Sequence, residues 1–255
     1  GCVVVFYTFN NYIYQKKQGV SITKNNSTNT MNSQSTGVVP ISHASMILTF
    51  GGQTIYNDPV GGSNAYAGHT PPNIILLSDI HGDHLDSDTL TSLSTENTVI
   101  VAPQAVANEL PDNLPGELII LPNGQATTQK GIKIEAVPMY NVPESVTAPH
   151  TKGRGNGYIL SADGKRLYIA GDTGPTDEMK SLKKIDEAFI PMNLPYTMSV
   201  EDAANAVLAF KPKIVHPYHY RGPDGLSDIN KFKALVESKD PNIKVELLNF
   251  YPNSN

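Results

Sequence analysis

The chain has 255 residues, 39% hydrophobic and 17% charged, a length that suits one large α/β domain or two small ones and can bury a full core. Its formal net charge is -5 and its Lys and Arg are scattered, so it lacks the concentrated positive face that nucleic acid demands, and nucleic acid is not expected as a partner. The single cysteine, Cys2, excludes an internal disulfide and a thiolate-rich zinc cluster, so any metal must be held by nitrogen and oxygen.

Residues 1–14 carry the apolar run Cys2-Val3-Val4-Val5-Phe6-Tyr7-Thr8-Phe9, followed by Tyr12, Ile13 and Tyr14. The run falls short of the ~20 residues that cross a bilayer, and its aromatic flank suits a membrane interface. It reads as the tail of a signal or membrane-anchor helix, which makes an extracytoplasmic, membrane-anchored protein the expectation. The alternatives are a short strand or disordered tag on a cytoplasmic protein, and lipidation at Cys2. Residues 15–37 are polar and contain KNNSTNTMNSQSTG. That composition cannot bury apolar surface and predicts a flexible linker, leaving 38–255 as the folded domain.

Met46 to Phe50 and Gln53 to Tyr56 flank Gly51-Gly52 and read as a β-hairpin. Asn73 to Ser78 is a continuous apolar run, as in a strand covered on both faces. A short helix is expected over 86–93, a strand over 98–102, and a helix over 103–110 with Pro at its first turn. Further strands fall at 117–121 and 131–137. Strands 157–162 and 165–170 flank Asp163-Gly164, a hairpin signal. Helix 176–184, strand 188–191, helix 199–210 with a Ser199/Asp202 capping box, strand 213–216, helix 228–238 and strand 244–250 complete the series. Two β-rich halves, each followed by helices, predict an α/β fold: a four-layer αββα sandwich of two mixed sheets with helices outside.

The chemistry concentrates in Ser78-Asp79-Ile80-His81-Gly82-Asp83-His84, which follows the buried strand directly. Asp79, His81, Asp83 and His84 are hard or borderline ligands suited to Zn, Mn or Fe. Gly82 lets the backbone turn sharply so that these side chains can converge.

The segment resembles the His-x-His-x-Asp-His signature of the metallo-β-lactamase superfamily, and matching residues follow in that family's order. Asp58, in Tyr56-Asn57-Asp58-Pro59, resembles its early Asp-Pro. His150, Asp172 in Ala170-Gly171-Asp172-Thr173, and His219 in His216-Pro217-Tyr218-His219-Tyr220 resemble its later ligands. Ser42-His43-Ala44 and the Pro-Tyr-His-Tyr ending resemble the branch of L-ascorbate-6-phosphate lactonase and N-acyl-phosphatidylethanolamine phospholipase D. The resemblance implies two divalent metal ions. Asp79, His81 and His150 would hold one, Asp83, His84 and His219 the other, with Asp172 between them. One departure stands out: the family's first histidine is Asp79 here, and a carboxylate favours Mn or Fe over the common di-zinc form.

Two ions about 3.5–4 Å apart lower the pKa of a shared water and clamp the oxygens of the reacting group. The implied reaction is hydrolysis of a small-molecule ester, lactone or amide, with Asp83 shuttling the proton and His43 lining the site. The alternatives are a phosphodiesterase or phosphatase on the same metal core, and a non-catalytic metal-binding module. Lys152 and Arg154 are candidates to bind an anionic substrate, or are solvated loop charges. Tyr196, Tyr218 and Tyr220 are candidate pocket walls, or core. His216 reads as structural and His69 as a loop residue.

Overall fold

A computed structural model describes residues 36–252, and the expectations placed on residues 1–35 lie outside the described residues. The first sheet has the order β1 (Gly37–Ser42), β2 (Ser45–Phe50), β3 (Gln53–Asn57), β4 (Ile74–Leu76), β5 (Val99–Ala102) and β6 (Glu117–Ile120). Its first three strands are antiparallel, and β3 to β6 are parallel. The second sheet is built from β7 (Ala126–Gln129), β8 (Ile132–Met139), β9 (Gly155–Ala162), β10 (Lys165–Ile169), β11 (Glu187–Pro191), β12 (Ile214–Tyr218) and, past the small hairpin β13 (Arg221–Gly222) and β14 (Gly225–Leu226), β15 (Lys244–Val245). It repeats the grammar of the first: β7 to β10 are antiparallel, then β10, β11, β12 and β15 run parallel. Both sheets are therefore mixed, as expected.

Side-chain alternation explains the layering. Met46, Leu48, Phe50, Ile55, Ile74, Leu76, Val99 and Val101 join the main core with residues of the second sheet such as Ile134, Leu160 and Ile169. Their neighbours Ile47, Tyr56, Ile75, Leu77, Ile100 and Ala102 point the other way. There they meet Tyr66, Leu90 from helix α1 (Ser87–Leu93) and Val106 from α2 (Gln104–Ala107). Successive strand residues face opposite sides, so a fully apolar strand such as β4 must be covered twice. Helices α3 (Asp177–Lys180), α4 (Val200–Phe210) and α5 (Ile229–Lys239) contribute Met179, Val207, Phe210, Phe232 and Val236 to the core that includes the second sheet.

Capping follows the sequence. Ser199 Oγ accepts from Asp202 N–H at 3.0 Å, an N-cap that contributes ~1 kcal/mol, and its hydroxyl donates to the Asp202 carboxylate at 2.7 Å, where the expected box would have had the backbone N–H. Four elements are markedly shorter than expected, the first being the run 73–78, which forms strand only at Ile74–Leu76. The α2 segment continues to Leu110 as i to i+3 turns, because Pro111 follows. The α3 segment turns out at Ser181, and Lys184 adopts φ 56°. The closing strand pairs only at Lys244–Val245, after which Phe250 and Tyr251 pack on Tyr218 and Tyr220. Among the described residues no helix is long and apolar enough to cross a membrane.

Candidate metal centre

The site residues follow strand ends. Asp58 follows β3, residues 79–84 follow β4, His150 lies between β8 and β9, Asp172 follows β10, Asn193 follows β11 and His219 follows β12. The C-terminal ends of parallel strands form such crevices because their loops leave the sheet there. Close approach of the two sheets needs missing side chains: a Cβ on Gly155 would lie 2.8 Å from the Ser78 carbonyl oxygen. Gly171, at φ +69°, turns the chain into Asp172 where a Cβ would meet Met139 Sδ at 2.3 Å. Asp58 and His219 hold left-handed backbone conformations, φ 42° and 46°. Such conformations cost roughly 1–3 kcal/mol each and cluster at functional sites.

Two groups of side chains converge, Asp79–His81–His150 and Asp83–His84–His219 with Asp172, each with ligand atoms within 4.8 Å of one another. In the first, Asp79 Oδ2 lies 2.6 Å from His81 Nδ1 and 3.7 Å from His150 Nε2. In the second, His219 Nε2 lies 3.1 Å from Asp83 Oδ2, and His84 Nε2 lies 3.9 Å from Asp83 Oδ1. Asp172 reaches both groups. Its Oδ2 is 3.4 Å from His150 Nε2 and 3.3 Å from His84 Nε2, and its Oδ1 is 3.4 Å from His219 Nε2.

His84 is fully buried and braced from behind. Its Nδ1 lies 2.9 Å from Asp58 Oδ2 and 3.0 Å from Ser78 Oγ. Asp58 accepts in turn from Ser78 N–H at 2.7 Å, Ser78 O–H at 2.6 Å and the Asn57 amide at 3.2 Å. His150 Nδ1 faces the Tyr196 carbonyl at 3.2 Å, and His219 Nδ1 faces the Asn193 amide at 3.2 Å. The carboxylate behind His84 and the carbonyl behind His150 take the Nδ1 proton and leave Nε2 for a metal, while Asn193 fixes the orientation of the His219 ring.

Charge is concentrated here. Burial opposes charging His84, but Asp172 and Asp58 outweigh it and raise its pKa well above the usual imidazole value. Burial would raise the Asp172 carboxyl, yet His219, His84 and His150 hold it well below the usual range. Asp79 and Asp83 are lowered against the same opposing burial, chiefly by the His81 and His219 imidazoles beside them. The hydrogen bond to Asp79 raises His81, while burial lowers His150.

The residues fit a divalent cation. His84 Nε2, His219 Nε2 and Asp172 Oδ1 are buried polar atoms without a hydrogen-bond partner, and they face one another. Buried polar atoms are almost always paired, and two imidazole nitrogens beside a carboxylate oxygen form a donor set that a divalent ion satisfies.

All seven residues expected as ligands are brought together. A pocket of about 330 Å³ opens over them, lined by His81, Asp83, Pro149, His150, Asp172, Asn193 and Tyr196. Tyr196 thus stands where a pocket wall was expected. Other expected residues do not line it. Tyr220 is core: it is buried, and its hydroxyl donates to the Leu248 carbonyl at 3.1 Å. Tyr218 is core too, its hydroxyl receiving the Gly171 N–H at 2.8 Å. His43 stands behind His219, ring centroids 5.3 Å apart, with Nδ1 3.1 Å from the Tyr251 hydroxyl. Lys152 is turned outward, 3.2 Å from both Glu144 and Glu178. Arg154 pairs with Asp79 instead of facing the pocket. His216 is structural, held by Glu187 at 2.8 Å and the Glu246 carbonyl at 3.1 Å.

Sequence reasoning missed Asn193 and Tyr251. Asn193 carried a signal, a polar residue just past the buried strand β11; Tyr251 lies beyond any periodic segment and carried none.

Comparison with known proteins agrees with the fold. A model of the beta-lactamase superfamily domain matches residues 39–219. A UPF0173 metal-dependent hydrolase of Thermococcus onnurineus is 33% identical over 208 residues, 78% of this chain and 91% of the relative. One from Pyrococcus abyssi is 31% identical with the same coverage of each chain. A crystal structure from Parabacteroides distasonis superposes with a TM-score of 0.73 at 40% identity, over 83% of this chain and 92% of the other. The chain belongs to the metallo-β-lactamase superfamily and, within it, to the UPF0173 metal-dependent hydrolases. It is a metal-dependent hydrolase.

Proposed function

We propose that the chain hydrolyses a small, uncharged ester, lactone or amide with two divalent cations held by Asp79, His81 and His150 and by Asp83, His84 and His219. Asp172 reaches both positions with its two oxygens. When bound, the pair supplies Lewis acidity and acidifies water. The protein's own groups do the rest. Asp83, its side chain 42% exposed to the pocket, is placed to take the proton from the attacking water. Tyr196 and Pro149 form the wall against which the substrate lies.

The observation that favours a neutral substrate is the lining itself, which contains no Lys or Arg. A phosphoester would gain from cationic side chains beyond the metal ions. The cations nearest the ligands in sequence are engaged, Lys152 by Glu144 and Glu178, Arg154 by Asp79, and Arg221 over the Tyr251 ring. The carboxylate at Asp79 favours Mn or Fe at that position. The test is metal analysis of the purified protein, followed by chromogenic esters, lactones and phosphodiesters assayed with Mn, Zn and Fe supplied separately. Metal-dependent turnover of an ester or lactone is expected. A phosphodiester turned over faster overturns the substrate assignment, and so does bound metal without turnover of any ester or lactone tested.

A further inference from the structure

Behind Asp79 stands a cation. Arg154 Nε and Nη2 donate to Asp79 Oδ1 at 3.3 and 3.2 Å, with Nη2 3.4 Å from Oδ2. Nη2 also donates to the Pro149 carbonyl at 2.5 Å, next to His150. Asp79 is fully buried and the Arg154 side chain is 21% exposed, so the pair is only partly screened. The guanidinium cannot lose its proton, and its fork fixes the carboxylate plane. One oxygen of Asp79 is thus taken up by Arg154, and the other faces His81 and His150.

The second group is supported by the opposite charge. Behind His84 lies the Asp58 carboxylate, 2.9 Å from Nδ1. A cation arriving at Asp83, His84 and His219 meets a ligand, His84, that is backed by negative charge. A cation arriving at Asp79, His81 and His150 meets a carboxylate already satisfied by a positive one. We propose that Arg154 is a positioning residue and fixed counter-ion for Asp79 that makes this position the weaker of the two. In the superfamily motif an imidazole stands at Asp79 and brings no charge; here the Asp79–Arg154 pair reaches the same neutrality with two residues. The inference rests on the two-cation reading but not on any substrate.

The experiment is a titration of the full, chelator-stripped chain with Mn²⁺ and with Zn²⁺, bound ion being counted by equilibrium dialysis and elemental analysis. Five proteins are compared: wild type, Arg154→Gln, Arg154→Lys, Asp79→His and the Asp79→His/Arg154→Gln double variant. Wild type should show one tight and one weak event. Arg154→Gln should tighten the weak event by about 5- to 100-fold, the usual range of coupling between sites, and leave the tight one in place. Arg154→Lys keeps the charge and should keep the weak event weak. With Asp79→His, the Arg154→Gln change should shift affinity by less than about threefold, because the coupled partner is gone. If wild type takes up a single ion, a second ion gained in Arg154→Gln supports the proposal, and none gained overturns it. Two equal events in wild type, weaker binding in Arg154→Gln, or the same shift in both Asp79 backgrounds would each overturn it, leaving Arg154 a brace between loops. Ester turnover is read separately, so a failed substrate assignment leaves the binding cycle interpretable.

Discussion

The two ligand groups are near mirror images in burial and opposites in support. Each has one ligand side chain 42% exposed, His81 in the first and Asp83 in the second, and two that are almost fully buried. Each also shares Asp172. The difference lies one layer out, where Arg154 backs Asp79 and Asp58 backs His84. Similar ligands can therefore hold cations with different strength, because the charge behind a ligand sets how much negative potential it offers. Removing shared and unshared members in turn tests how separate the two positions are.

The largest effect is expected from the shared member. Asp172→Ala removes the carboxylate that faces both groups, so both positions should lose cation together. Since the metal supplies several kcal/mol, hydrolysis should fall by more than about 1,000-fold. Metal content and rate, measured with Zn and Mn separately, check this. Two ions retained at wild-type activity would show that Asp172 does not join the positions.

Next comes the support of the second group alone. Asp58→Asn keeps the shape and tolerates the left-handed backbone at φ 42°, but removes the charge behind His84. Affinity at the second position should fall by about 10- to 100-fold, as outer partners of a ligating histidine do. The first position should hold. Equal loss at both would merge the two groups into one unit.

How much of this was legible in the sequence depends on chain distance. The ligands at 79, 81, 83 and 84 sit in one loop after an apolar strand, and His150, Asp172 and His219 each follow a recognisable strand or motif, so local pattern sufficed. The sheets were legible for the same reason: Met46–Phe50 and Asn73–Ser78 carry the alternation and the apolar run that their two-sided burial requires. Strand β7, Ala-Thr-Thr-Gln, has no apolar member beyond Ala126 and gave no signal. The support layer's members Asp58 and Arg154 stood out in the sequence, but their pairings were illegible because they join distant residues. Arg154 and Asp79 are 75 positions apart, and Tyr251 and His43 are 208 apart. Without Asp79 beside it, Arg154 reads as a free cation. The Asp79 departure and its counter-ion make sense only together.

A pH dependence sharpens the comparison further. In the metal-free protein the His84 pKa is raised by its carboxylates. Its contribution to stability is therefore full below the unfolded value, roughly 6.5, and is lost as pH rises through the folded value. Asp172 and Asp83 are lowered, so their contribution is present above roughly 3.9 and is lost in acid. A cation must displace the His84 proton, so the melting-temperature gain from Mn²⁺ should grow from slightly acid to alkaline pH. Thermal unfolding with and without Mn²⁺ across that range reads it. A gain independent of pH would mean that the ion does not displace the proton from His84.

The smallest effect is expected two residues from Arg154. Lys152 has the same charge and lies in the same loop, yet it is exposed and held by Glu144, Glu178 and the Tyr140 hydroxyl. Its partners keep its pKa above the ordinary lysine value, so it stays charged, but that charge is spent on neighbours outside the pocket. Lys152→Ala should therefore change kcat/KM on a neutral ester by less than about threefold, as surface substitutions away from a site do, and leave both metal affinities unchanged. The informative contrast is an anionic substrate assayed in low and high salt. If Lys152 swings in to hold a phosphate, the variant will raise KM for that substrate at low salt and the effect will fade as salt screens it. Seen together with turnover of phosphodiesters, that would move the assignment from neutral esters to phosphoesters. Without it, the loop places two cations side by side and gives only Arg154 a part in the site, because only Arg154 reaches a buried carboxylate.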